Sequence, residues 1–207
     1  MSDATPTDGA SDQRDLCARI GECRLCADQF LATETAHEPR PVLIPSTTAR
    51  VLIAGQAPGA RVHASGIPFD DPSGDRLRDW LGLDREAFYD PARLSIVPMA
   101  FCFPGYDAKG SDLPPPKQCA QTWRDQVMHT MPQIELTLLI GQYAQAWHMG
   151  RSRKRTLTDT VRAWREYGPN VLPLPHPSWR NTAWLKKNPW FAEEVLPWLR
   201  AEVSRLV

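Results

Sequence analysis

"RVLIAGQAPGARVHASGIPF", Arg50 to Phe69, is the stretch on which the fold turns. Its opening, "RVLIAG" (50–55), is a near-continuous apolar run. That pattern suits a parallel strand covered on both faces, because neither face then needs polar side chains. The run breaks at Gly55 into fifteen residues that are mostly small or proline, with one histidine, His63, and one phenylalanine, Phe69. Small residues let a loop backbone approach a ligand closely. A loop leaving the carboxyl end of such a strand stands where open α/β sheets build their sites.

The rest of the chain repeats the alternation. "SGDRLRDWLGL" (73–83) carries Leu77, Trp80 and Leu81 on one helical face, with Ser73 as the expected N-cap and Gly82 as the stop. "RLSIVPMAF" (93–101) is a predicted second strand, and "PPKQCAQTWRDQVMHTM" a helix ending near Pro132. "LTLLIGQYAQAWHMG" reads as a third strand turning into a helix at Gly141, and "NVLPLPHPS" (170–178) as a fourth strand ending in His176. "NPWFAEEVLPWLRAEVSRLV" is a closing helix kinked or broken at Pro197, and "ARIGECRLCADQF" a short helix interrupted by cysteines. This order predicts an α/β fold, a three-layer α/β/α sandwich around a central, mainly parallel four-stranded sheet. Its carboxyl edge would gather the loop from Gly55, the segment through Cys102, and "HPSWRN" from His176. No repeat or linker divides the chain, so residues 14–207 are expected as one domain behind a disordered polar tail, "MSDATPTDGASDQ" (1–13).

The 207 residues have a formal net charge of zero and are 42% hydrophobic, enough for a sizeable core. A globally basic nucleic-acid binder is excluded, and DNA contact would have to come from local patches. "GRSRKR" (150–155) and "LKKN" (185–188) are such patches, equally readable as solvated charge. No apolar run reaches the length of a membrane span and the N-terminus lacks a secretory core, so the expectation is a cytoplasmic monomer without membrane association.

Cys23 and Cys26 form a C-x-x-C pair, Cys102 follows the second strand, and Cys119 lies on the next helix. Four such thiols suit a Cys₄ zinc site or a 4Fe–4S cluster, the alternative being inert buried cysteines. Cys17 reads as a small core residue.

Four segments in order, "CRLC", "GQAPGARVHASGIPFDDPSGDRLRDWLGL", the Cys102–Cys119 pair and "HPSWRN", resemble the iron–sulfur classes of the uracil-DNA glycosylase superfamily over roughly residues 20–200. The resemblance implies a DNA glycosylase that starts base excision repair by removing uracil, or another deaminated base, from single- or double-stranded DNA. It implies a 4Fe–4S cluster on Cys23, Cys26, Cys102 and Cys119, with Cys17 outside it. It places Phe69 in a stack with the flipped base. Gln56, Ala57, Pro58 and Gly59 offer their backbone to base or sugar. His176 becomes the donor to uracil O2, and Ser178, Trp179 and Arg180 the DNA-contacting wedge. That chemistry needs a flipped base, a donor to the departing anion and a positioned water.

The sequence departs from the family where the water is handled. Ala57 and Gln56 stand where relatives carry an aspartate or a glutamate, and Val62 and His63 where one class has an acidic pair. Pro98 replaces a base-reading asparagine. The expected catalytic set is therefore His176 with Gln56 or His63, or loop carbonyls, placing the water, while Asp70 and Asp71 have no assigned role. Two other readings stand beside it: a module that binds uracil or abasic DNA with little or no turnover, and a Cys₄ metalloprotein of unrelated chemistry.

Overall fold

A computed structural model describes residues 9–207. Four strands, β1 (Val51–Ala54), β2 (Leu94–Ile96), β3 (Leu136–Ile140) and β4 (Val171–Leu174), form one sheet in the order β2-β1-β3-β4, every pair parallel. β1 is buried along its whole length, as its unbroken apolar run requires. β2 is shorter than expected, yet the chain beyond it stays beside the β1 loop, Met99 N–H donating to Gly55 O at 2.9 Å and Ala100 N–H to Gln56 O at 3.1 Å. β4 tolerates Pro173 because it is an edge strand.

Alternation along β1 sorts the two helical layers. Val51 and Ile53 face a core with Leu77, Trp80, Val161 and Leu199 from α4 (Pro72–Leu81), α8 (Leu157–Arg162) and α10 (Leu196–Leu206). Leu52 faces Leu16, Ile20, Trp123 and Val127 from α1 (Gly9–Gly21) and α6 (Lys117–His129). Ala54 and Leu139 meet Ala144 of α7 (Gly141–Met149) on that same side. The result is the expected three-layer sandwich.

Several expectations need correction. Residues 9–13, expected as tail, are the first turns of α1, while residues 1–8 lie outside the described residues. The cysteine-interrupted helix is two helices, α1 and α2 (Ala27–Leu31), joined by a turn. Part of the Gly55–Phe69 loop is α3 (Ala60–Ser65), capped by Gly59 and closed by Gly66 at φ 75°. The N-cap of α4 is Asp71, not Ser73: its Oδ1 accepts from Gly74 N–H at 2.9 Å, with Pro72 in the first turn. Two further short helices, α5 (Arg85–Tyr89) and α9 (Thr182–Lys187), follow α4 and the "HPSWRN" loop. The closing helix opens with a π turn at Phe191–Val195 just before Pro197, which lies in the first turn of α10.

Candidate active site and thiol cavity

A cleft of about 590 Å³ opens at the carboxyl ends of the strands, between the β1 loop and the loop after β4. Gln56, Ala57, Pro58, Gly59, Phe69, His176, Ser178, Trp179 and Arg180 all line it, so most of the expected site residues are brought together. The Phe69 ring lies against Gly55, where an added Cβ would sit 3.4 Å from the ring, and meets Phe88 edge-on at 6.2 Å. This position is held by an unusual backbone. Phe69 is left-handed at φ 55°, and its carbonyl oxygen occupies the space that a Cβ on Gly74 would need. Tyr89 Oη donates to Pro68 O at 2.9 Å and fixes the preceding residue. The same turn sets Asp71, which lines the cleft wall, its Oδ1 used by the helix cap and its second oxygen without a hydrogen-bond partner among the described residues.

His176 faces this turn. Its Nδ1 accepts from Ser178 N–H at 3.1 Å, so the proton of the neutral ring sits on Nε2. Burial holds the ring below the ordinary imidazole range, against the opposing pull of Asp71 and Asp112. Asn181 Nδ2 donates to His176 O at 2.8 Å, and Arg76 of α4 donates to Ser178 O at 2.9 Å, so the post-β4 loop is tied to itself and to α4. Gly141, at φ 81°, allows β3 to turn into α7 beside His176. Trp179 is 70% exposed at the rim, with the Arg180 guanidinium 5.9 Å from its ring.

Two acids that sequence reasoning left without a role line the cleft: Asp71 and Asp112. Asp112 closes a hairpin in which Tyr106 bridges Asp112 and Asp107 Oδ1 accepts from Lys109 and Ser111 N–H. Burial raises the Asp112 carboxyl above its usual range, opposed by Arg180 and His176. The only sequence signal was "DDPSGD", in which an Asx residue before proline announces a helix cap. Asp112 offered no such signal.

His63 does not reach the cleft. Its ring meets His37 at 4.9 Å and Phe103 at 6.0 Å, and burial followed by the charges of His37 and Arg40 holds its pKa down. The helical turn of α3 sends Arg61 and Val62 to the cleft and leaves His63 among these rings, so its expected role as base is withdrawn. Pro98 lines the cleft wall. Beneath it the Arg124 guanidinium, 1% exposed, donates to Val97 O at 2.7 Å and Pro98 O at 3.2 Å, and its Nη2 contacts His148 Nε2 at 2.8 Å.

On the α1 side, Cys23, Cys26, Cys102 and Cys119 line one small apolar cavity with Ile20, Phe30 and Trp123. Cys17 is not among its lining residues. Burial, reinforced by the neighbouring thiols, pushes Cys102 up to about 12 and Cys119 up to about 11. Donors already point at two of the sulfurs: Gln118 Nε2 to Cys26 Sγ at 3.3 Å, and Phe101 N–H to Cys119 Sγ at 3.4 Å. Trp123 Nε1 is buried with no hydrogen-bond partner among the described residues. Yet among the described residues no three His, Cys, Asp or Glu side chains converge closely enough to grip a metal ion. The expected converging thiol group is met only as a shared cavity. Tetrahedral zinc needs every sulfur within about 2.3 Å of a single point, which this arrangement does not provide.

Fold and cleft together define an α/β protein whose site is assembled from loops at the carboxyl ends of parallel strands. The family model for the uracil DNA glycosylase superfamily matches residues 41–200. The chain belongs to that superfamily, and with it to the glycosylase-type hydrolases that act on DNA. No helix among the described residues is long and apolar enough to cross a membrane.

Proposed function

We propose that the protein hydrolyses the N-glycosidic bond of uracil in DNA. The observation that supports this most is the placing of His176, protonated on Nε2, in one cleft with the Phe69 ring and the half-free Asp71 carboxylate. A flipped base stacks on Phe69, and the loop backbone from Gln56 to Gly59 holds its edge and sugar. As the C1′–N1 bond lengthens, negative charge gathers on O2, where His176 Nε2–H donates to it. A neutral donor suits this step, since the anion is stabilised without handing its proton over early. The free oxygen of Asp71 orients a water toward C1′. The water oxygen bonds to C1′, its proton passes to Asp71, and uracil leaves with the bonding electron pair. Asp71 thus supplies the carboxylate that Ala57 and Gln56 lack.

The thiol cavity supports a 4Fe–4S cluster held by Cys23, Cys26, Cys102 and Cys119. When bound, such a cluster ties α1, α2 and the chain after β2 together as a structural clasp. Phe101 N–H and Gln118 Nε2 already donate to two of the sulfurs that would hold it, Cys119 Sγ and Cys26 Sγ.

The test is strand nicking of uracil-containing oligonucleotides after alkali. Excision by the parent, lost in His176→Ala and Asp71→Asn while DNA binding remains, supports the reading. Binding of uracil DNA by the parent without release of base would replace it with the binding-module reading.

A further inference from the structure

The chain carries equal numbers of acidic and basic residues, 24 of each, yet it concentrates four cations in five positions, Arg151, Arg153, Lys154 and Arg155. Lys154 pairs with Glu166 at 2.5 Å. The three arginines are exposed and have no acidic partner among the described residues. Like charges this close repel one another, so an unpaired cluster is a surface that gains from a polyanion.

Its location decides which polyanion. α7 packs on one face of the sheet through Ala144, and α8 on the other through Val161. The segment between them must therefore pass around the free edge of β4, the strand that feeds the His176 loop. α9 follows that loop directly, and its Trp184 donates Nε1–H to Thr158 Oγ1 of α8 at 2.8 Å. Lys186 and Lys187 of α9 are exposed and likewise unpaired among the described residues. The basic segment is also held in place. Tyr167 Oη donates to Ser152 O at 3.2 Å, and Lys154 N–H to Thr160 Oγ1 at 3.1 Å, so the arginines project from a pinned backbone.

We infer that Arg151, Arg153 and Arg155, continued by Lys186 and Lys187, form a track for the phosphates of a DNA strand as it leaves the cleft past Trp179 and Arg180 down the β4 side. The inference rests on the DNA reading above and adds a binding surface to it. The track reads charge, not sequence, and its signature is the salt dependence of binding.

The experiment is fluorescence anisotropy with a labelled single strand lacking uracil, titrated over a salt series. Three proteins are compared: the parent, the track variant Arg151→Ala/Arg153→Ala/Arg155→Ala, and a control of equal charge change, Arg50→Ala/Arg93→Ala/Arg205→Ala. The control removes cations that each pair with an acid, Arg50 with Glu135, Arg93 with Asp90 and Arg205 with Glu202, and so matches the charge change without touching the unpaired cluster. Each phosphate neutralised on single strands adds about 0.7 to the slope of log K against log salt, so the track variant should lose about 2 from its slope. The control should keep the parent slope, and unchanged melting temperatures show that all three are folded. A track variant with the parent slope, or equal losses in both variants, would overturn the inference. Absence of DNA binding by the parent would instead overturn the functional reading on which it stands.

Discussion

At the scale of single residues, the proposed chemistry depends on a histidine in one protonation state. Removing a donor of this kind lowers turnover about 10²- to 10³-fold, so His176→Ala should show that loss at saturating substrate with binding of uracil DNA kept. Because burial holds His176 below its ordinary value of 6.5, the neutral ring persists as pH falls through that point. Any acid limb set by His176 should therefore lie below 6.5, and a limb above 6.5 that vanishes in His176→Ala would contradict the assignment. Arg180→Ala should weaken activity on duplex more than on single strands, since only the duplex has a stack to hold open; equal losses in paired assays would remove the wedge role. His176, Phe69 and the Gln56–Gly59 backbone were legible because they sit in contiguous motifs. Asp71 was not, since giving the cap to Ser73 left it a loop residue. His63 was misread because nothing in "ARVHAS" announces a helix of six residues.

At the scale of elements, the start of α4 does two jobs: it caps a helix and it bends Phe69 into the cleft. Gly74→Ala puts a Cβ into the Phe69 carbonyl and should lower both the melting temperature and excision, whereas Gly110→Ala, in open space but also at positive φ, should cost about 1 kcal/mol and leave excision intact. The Arg124–His148 pair under the Pro98 wall makes a second prediction. Burial, then the Arg124 charge, holds folded His148 down to about 3, against 6.5 unfolded. Its contribution is full above 6.5 and is lost as pH falls from there toward 3, where the unfolded chain binds a proton that the folded chain refuses. His148→Gln keeps an acceptor for Arg124 and should flatten that loss, by at most about 1.4 kcal/mol per pH unit; denaturant melts at several pH values check it. The strands and long helices were legible from unbroken or 3.6-residue apolar patterns. The five- and six-residue helices α3, α5, α8 and α9 were not, because so short a segment holds too little period and depends on tertiary contacts.

At the scale of the whole molecule, one topology places two centres on a single sheet: the cleft at its carboxyl edge and the thiol cavity on the α1 side. The sequence ordered the strands along the chain, but their order in the sheet and the meeting of Cys23 and Cys26 with Cys102 and Cys119 needed the fold. Anaerobically purified protein should be brown and hold about four irons per chain, and Cys102→Ser should lose the colour and melt lower; a colourless protein with one zinc would contradict the cluster. The central claim is that this cleft cuts the glycosidic bond with Asp71 and His176. The most direct test is single-turnover nicking of a single-stranded oligonucleotide with one central uracil, run on the parent, Asp71→Asn and His176→Ala, with binding measured in parallel. The account predicts excision by the parent and a loss of at least about 10²-fold in each variant with affinity unchanged. Full-rate excision by Asp71→Asn and His176→Ala would contradict it.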